Sequence, residues 1–191
     1  LAFARRFGPI NVNRFFKPVE GHPEIATVLK EKDQTEAVGE GWHTDHSYDQ
    51  EPAMGSILHA IEMPPYGGDT LFVSMGAAYE ALSEPMRRFL DSLTAVHSSR
   101  HVFGAAAMDS EAVKTGRLGN AEAATQDARH PVVITHPLSG RRGLFVNPVF
   151  TTRIEGLTPE ESSALLAMLY AHCQQPEFQC RVRWRAGDIT M

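Results

Sequence analysis

Phe178-Gln179-Cys180-Arg181-Val182-Arg183-Trp184-Arg185 alternates apolar and polar residues over eight positions. Side chains of an extended chain point to opposite faces in turn, so this segment predicts a half-buried β-strand. Phe178, Cys180, Val182 and Trp184 face inward in that reading. Arg181, Arg183 and Arg185 share the other face, as a solvated exterior or as an anion site.

Further strands are predicted upstream. Gly55-Ser56-Ile57-Leu58-His59-Ala60-Ile61 and Asp69-Thr70-Leu71-Phe72-Val73 flank a turn with Pro64-Pro65-Tyr66-Gly67-Gly68. His130 to Thr135 and Gly143 to Val146 flank the turn His136-Pro137-Leu138-Ser139-Gly140, which reads as a hairpin. Helices interrupt these strands. One is predicted over Met75 to Leu82, and a second from Ser83, with Pro85 in a first turn where its missing N–H costs nothing. A third starts at Thr158-Pro159-Glu160-Glu161, a capping box, and turns Leu165, Leu166, Met168, Leu169 and Cys173 to the core. A stretch rich in Ala, Gly and polar residues, about 104–129, is expected to be an irregular insert or lid. Many short strands with intervening helices predict a mainly β fold with flanking helices, a β-sandwich or jelly roll. No GxGxxG or GKS/GKT signature supports a nucleotide-binding sheet.

The chain has 191 residues, 42% hydrophobic and 21% charged, which fits a single globular domain over 1–191. Its net charge of −5 gives no basic field for nucleic acid or an anionic membrane. No apolar run reaches the length of about 18 that a spanning helix needs, and Leu1 to Gly8 lacks the order of a signal peptide. Cys173 and Cys180 form no CxxC pair, which suits a reducing cytoplasm and leaves any metal to His and carboxylate. The start at Leu1, and an end at Met191 inside a predicted strand, lead us to expect a part of a longer protein, incomplete at both ends.

The densest group of candidate ligands is Trp42-His43-Thr44-Asp45-His46. On an extended backbone His43 and Asp45 point to one side, about 6.6 Å apart at Cα, and can converge on one ion. Such an HxD pair supplies two ligands of a 2-His-1-carboxylate triad, a set suited to Fe(II) with open positions for substrate and O2. A surface turn whose polar residues bond only one another has the same sequence. His43-Thr44-Asp45-His46 also matches the end of the HxHxDH signature of metallohydrolases, but Gly41 stands where the first His belongs. A non-catalytic jelly-roll binding module is the third reading.

Gly41-Trp42-His43-Thr44-Asp45, Gly67-Gly68-Asp69-Thr70-Leu71, Phe145-Val146-Asn147, Phe150-Thr151-Thr152-Arg153-Ile154 and Gly187-Asp188-Ile189 occur together and in this order. In this the chain resembles the taurine dioxygenase-like (TauD/TfdA) family of Fe(II)- and 2-oxoglutarate-dependent dioxygenases, from about Arg6 to Met191. The resemblance implies a double-stranded β-helix and hydroxylation of a small organic acid, such as a sulfonate, sulfate ester or aryloxy acid, with release of succinate and CO2. It implies His43 and Asp45 as iron ligands and Thr70 as a hydroxyl that contacts 2-oxoglutarate; Thr70 equally fits a β-branched strand residue that only packs. Substrate-lining positions in the family fall here on Gly39, His46, Tyr48, Phe103 and Phe150. Gly39 in place of a polar amide and His46 in place of an aliphatic residue argue against taurine. The family's second His ligand and its 2-oxoglutarate-binding Arg lie downstream of the Gly-Asp-Ile strand, so both are expected beyond Met191. Self-association is common in the family, and a homo-oligomer is expected.

His97, His101, His130, His136 and His172 lack metal-like spacing, and ordinary hydrogen bonding is expected of them. Arg153 is expected near the mouth of the site or paired with an acid.

Overall fold

Residues 1–35, 39–104, 111–114 and 118–191 are described by a computed structural model. β1 (Pro18–Val19) and β2 (His22–Ala26) pair first; β3 (Leu58–His59) and β4 (Thr70–Val73) follow the segment that carries the HxD motif. Helices α1 (Met75–Ala81) and α2 (Glu84–Leu90) start where Ser74 and Ser83 accept a first-turn backbone N–H, with Pro85 in the opening turn. Next come β5 (Thr94–Ser98), α3 (Arg100–Phe103), α4 (Glu111–Lys114), β6 (Asp127–Pro131), β7 (Val133–Thr135), β8 (Arg142–Leu144) and β9 (Thr151–Ile154). α5 (Pro159–Cys173), β10 (Gln179–Val182) and β11 (Ile189–Thr190) complete a mainly β chain with flanking helices.

β5 lies between β6 and β9, antiparallel to both. Two pairings join distant parts of the chain: β10 runs against β4 with Val182 opposite Thr70, and β11 against β3 with Ile189 opposite His59. The main core packs Ala78 of α1, Leu90 of α2, Ala95 of β5, Leu144 of β8 and Leu166 and Leu169 of α5. A second cluster joins Phe15, Tyr48, Ala124 and Phe150 beside the HxD segment. No helix among the described residues is long and apolar enough to cross a membrane.

Local signals place the helix starts well. The Thr158–Glu161 capping box forms in both directions, the Thr158 hydroxyl accepting from Glu161 N–H and the Glu161 carboxylate accepting from Thr158 N–H. Inward residues of α5 are Ser162, Leu166, Leu169 and Cys173. Met168, expected inward, is exposed, because one residue of helix turns it about 100° from Leu169.

Strand lengths differ from expectation. The segment Phe178 to Arg185 is strand only over Gln179–Val182, after a 3-10 turn at Pro176–Phe178. Cys180 is exposed rather than inward, because it sits opposite Phe72 on a two-stranded sheet whose outer face is open. The strand expected over Gly55 to Ile61 shrinks to Leu58–His59, the part that β11 can pair. Of the expected insert, 105–110 and 115–117 lie outside the described residues. The remainder holds α4, a bridge between Leu118 and Phe16, and a 3-10 turn at Ala121–Ala123. Asp127 to Arg129 is not irregular: it belongs to β6, held by the register of Ser98, His97 and Val96.

Candidate metal centre

The HxD motif lies in a loop, and its neighbours fix both side chains. A Cβ at Gly41 would meet Val149 Cγ2 at 2.8 Å, so a side chain there would have to displace Val149. Val149 is itself held by a bond from His101 Nε2 to its carbonyl, at 2.6 Å. His43 Nδ1–H donates to the Gly41 carbonyl at 2.7 Å, which leaves Nε2 to face outward. Ser56 Oγ donates to Asp45 Oδ2 at 2.6 Å, which leaves Oδ1. These two remaining atoms, His43 Nε2 and Asp45 Oδ1, lie 3.1 Å apart.

The pair's electrostatics follow from that contact. The bond from His43 is the main force holding the Asp45 carboxyl down at about 2, and Ser56 adds to it. The same bond from Asp45, with the Gly41 carbonyl, raises His43 above its usual range. Each group of the pair thus favours the charged form of the other. Among the described residues no group of three or more His, Cys, Asp or Glu side chains converges as a metal site.

Beyond Asp45 the backbone turns sharply. His46 has φ +57°, the left-handed region that costs a residue with a Cβ energy. The turn is held from several sides. His46 Nδ1 lies 3.1 Å from Asp49 Oδ2 and Nε2 lies 3.4 Å from Asn13 Nδ2, while the ring stacks on Tyr48 with centroids 5.7 Å apart. Asp49 is paired with Arg14, whose guanidinium lies over the Phe15 and Tyr48 rings. His130 Nε2–H donates to the Asp49 carbonyl at 3.0 Å.

Four of the residues expected to line a substrate site gather here. Tyr48 packs edge-on against Phe150 with centroids 4.8 Å apart, Phe103 lies within 6 Å of both, and Phe150 lies edge-on to His43 at 6.3 Å. Tyr48 and Phe150 are buried, and burial pushes the Tyr48 hydroxyl's pKa up. Gly39, at φ +84°, runs so close to His43 that a Cβ would lie 3.5 Å from Cε1 of its ring. Thr70 stands apart on β4, where Trp184 Nε1–H donates to its hydroxyl oxygen at 2.8 Å. A cavity of about 150 Å3 lies between the HxD loop and β4: Trp42, His43 and Thr44 line one side, Leu71 and Val73 of β4 another. Tyr170 and Cys173 also line it, and burial raises them to about 12 and about 11, so both are neutral.

Other candidates take structural roles. His97, His101, His130 and His172 all hydrogen-bond within the chain, as expected. Arg181 pairs with Asp69 at 3.1 Å on an exposed face. Sequence reasoning missed Ser56, Arg14 and the partners of Ser47. Ser56 lies eleven positions from Asp45 in a loop, a spacing with no periodic meaning.

The family model "Taurine catabolism dioxygenase TauD, TfdA family" matches residues 1–191. The chain is 37% identical to the alpha-ketoglutarate-dependent 2,4-dichlorophenoxyacetate dioxygenase of Cupriavidus pinatubonensis, with all of the chain and 70% of that protein covered. It is 33% identical to the alpha-ketoglutarate-dependent dioxygenase cnsP of Penicillium expansum, over 97% of the chain and 51% of that protein. A solved taurine dioxygenase from Burkholderia xenovorans superimposes with a TM-score of 0.76 at 36% identity, covering 98% of this chain and 59% of that one. The chain thus spans little more than half the length of several proteins it matches.

Proposed function

Starting from a chain that belongs to the taurine catabolism dioxygenase TauD, TfdA family, we propose that the whole protein is an Fe(II)- and 2-oxoglutarate-dependent dioxygenase. Its substrate in this reading is a small organic acid, hydroxylated while 2-oxoglutarate is converted to succinate and CO2. The observation that carries it is the His43–Asp45 pair. Two donors on adjacent positions of one octahedral ion, each at about 2.1 Å, stand about 3.0 Å apart. Nε2 and Oδ1 stand 3.1 Å apart, and the other atom of each group is already tied to Gly41 or Ser56. Partners of that kind hold ligand rings and carboxylates in place.

Iron at this pair supplies the activation of O2 and the oxidation of a C–H bond. The chain's own residues bind and orient. His43 and Asp45 hold the ion. Thr70 receives the Trp184 N–H on its oxygen, so its own O–H is free to donate to a carboxylate of 2-oxoglutarate. Tyr48, Phe103 and Phe150 form an aromatic wall beside His43 that excludes water, and His46 stands at its polar end. A jelly roll of two facing sheets is the architecture we infer for the complete domain, and a homo-oligomer in the cytoplasm its state; the free Cys173 and Cys180 suit a reducing compartment.

Anaerobic addition of Fe(II) and 2-oxoglutarate should give a visible charge-transfer band. Admission of O2 with sulfonates, sulfate esters or aryloxy acids should then yield succinate in step with substrate loss. An iron-loaded protein that binds no 2-oxoglutarate would overturn the proposal.

A further inference from the structure

Behind the HxD loop lies a buried polar network. Its members are Ser47, His97, Asn147 and Thr151, all buried, with Ser47 and His97 fully so. Asn147 is the hub. Its Nδ2–H donates to Ser47 Oγ at 3.0 Å, its Oδ1 accepts from Phe150 N–H at 2.8 Å, and its own N–H donates to Thr151 Oγ1 at 2.9 Å. His97 Nδ1 lies 3.2 Å from Ser47 Oγ and 3.3 Å from Thr151 Oγ1.

Ser47 is the link to the site. It sits two residues beyond Asp45, its N–H donates to the Thr44 carbonyl at 3.4 Å, and the strained His46 lies between. The network therefore ties the turn after Asp45 to β5 through His97 and to β9 through Thr151. Its other arm reaches Phe150, the ring edge-on to His43. Both ligands of the pair are thus referenced to the same hub.

Hydrogen bonds made inside a protein hold their members in a specified geometry. We propose that Asn147, Ser47, Thr151 and His97 are positioning residues: they set the left-handed turn at His46 and so hold Asp45 at binding distance from His43. The inference rests on the metal-site reading of that pair. None of the four touches the ion. They act through the backbone of residues 44–47 and through Phe150.

Thr151 gives a clean test, because hydroxyl and shape can be removed separately. Mn(II) is titrated into the whole protein and free Mn(II) read by electron paramagnetic resonance, with the fold checked by circular dichroism and Tm. Thr151→Val keeps the shape and loses the hydroxyl; Thr151→Ser keeps the hydroxyl and loses a methyl. T151V and Ser47→Ala are expected to weaken Mn(II) binding by about 10- to 100-fold, the range for partners that orient ligands. T151S should restore affinity to within about threefold, a rescue that packing alone does not give. Leu90→Ala, in the core at the end of α2, should lower Tm and leave Mn(II) affinity unchanged. Folded T151V and S47A proteins that bind Mn(II) as the parent does overturn this inference alone. A whole protein that binds no Mn(II) overturns the metal reading and this inference together.

Discussion

Ser56 Oγ holds Asp45 by one oxygen only: its bond to Oδ2, at 2.6 Å, leaves Oδ1 facing His43 Nε2 at 3.1 Å. A carboxylate free to rotate would offer either oxygen. Ser56 removes that freedom. Ser56→Ala should therefore weaken Mn(II) binding by about tenfold. Because Ser56 is exposed, its Tm should change little. Calorimetric titration beside a thermal melt separates the two effects, and equal affinity in S56A and parent would remove Ser56 from the site.

Metal binding must displace a proton. His43 is raised by Asp45, so below its titration the imidazolium competes with the ion, whereas Asp45, at about 2, stays ionised. Apparent Mn(II) affinity should rise about tenfold per pH unit below the His43 pKa and level off above it. For folding alone the sign is opposite. A His raised in the folded state contributes stability below about 6.5 that is lost as pH rises through its folded value. Titrations from pH 5.5 to 8 check the first slope; a flat profile contradicts the assignment of His43 as ligand.

His97 predicts a separate pH effect on stability. Burial first, and then the charge of His130, hold it down at about 4, against 6.5 in an unfolded chain. Between those values the unfolded chain binds a proton that the folded chain does not, so stability rises with pH across this window. The span corresponds to a loss on the order of 3 kcal/mol from neutral pH to pH 4. Urea unfolding of the parent and His97→Gln at pH 4.5 and 7 tests it. The parent should lose more stability than H97Q on acidification, and equal losses refute the argument.

Trp184 should govern Thr70. With the indole N–H bonded to its oxygen, the Thr70 hydroxyl is oriented to donate elsewhere. Trp184→Phe is expected to weaken binding of N-oxalylglycine, a non-reactive 2-oxoglutarate analogue, by about three- to tenfold, the scale of one neutral hydrogen bond. Mn(II) affinity should not change. Thr70→Val should lose as much or more, and a Trp184→Phe protein with parental affinity rules out the orienting role.

Much of this was legible along the chain because its cause is local. Ser74, Ser83 and Thr158 cap helices through bonds that reach three residues, and the HxD alternation brings His43 and Asp45 to one side within two. Strand ends were less legible. Leu58–His59 and Gln179–Val182 stop where their partners stop, and those partners lie more than a hundred residues away. Met168 and Cys180 show that local pattern alone does not settle which face is covered.

Phe178 to Arg185 thus announced a strand, and the ordered blocks from Gly41 to Ile189 announced the family, from the sequence alone. What only the folded chain decided is how the His43–Asp45 pair is held. Ser56 meets Asp45 across eleven residues, His97 meets Ser47 across fifty, Asn147 meets Ser47 across a hundred, and Trp184 meets Thr70 across 114. Periodicity and capping act within one or two turns of backbone. Contacts at such separations are set by which strands pair and which surfaces pack, and their loop-closure cost is repaid only by the assembled core.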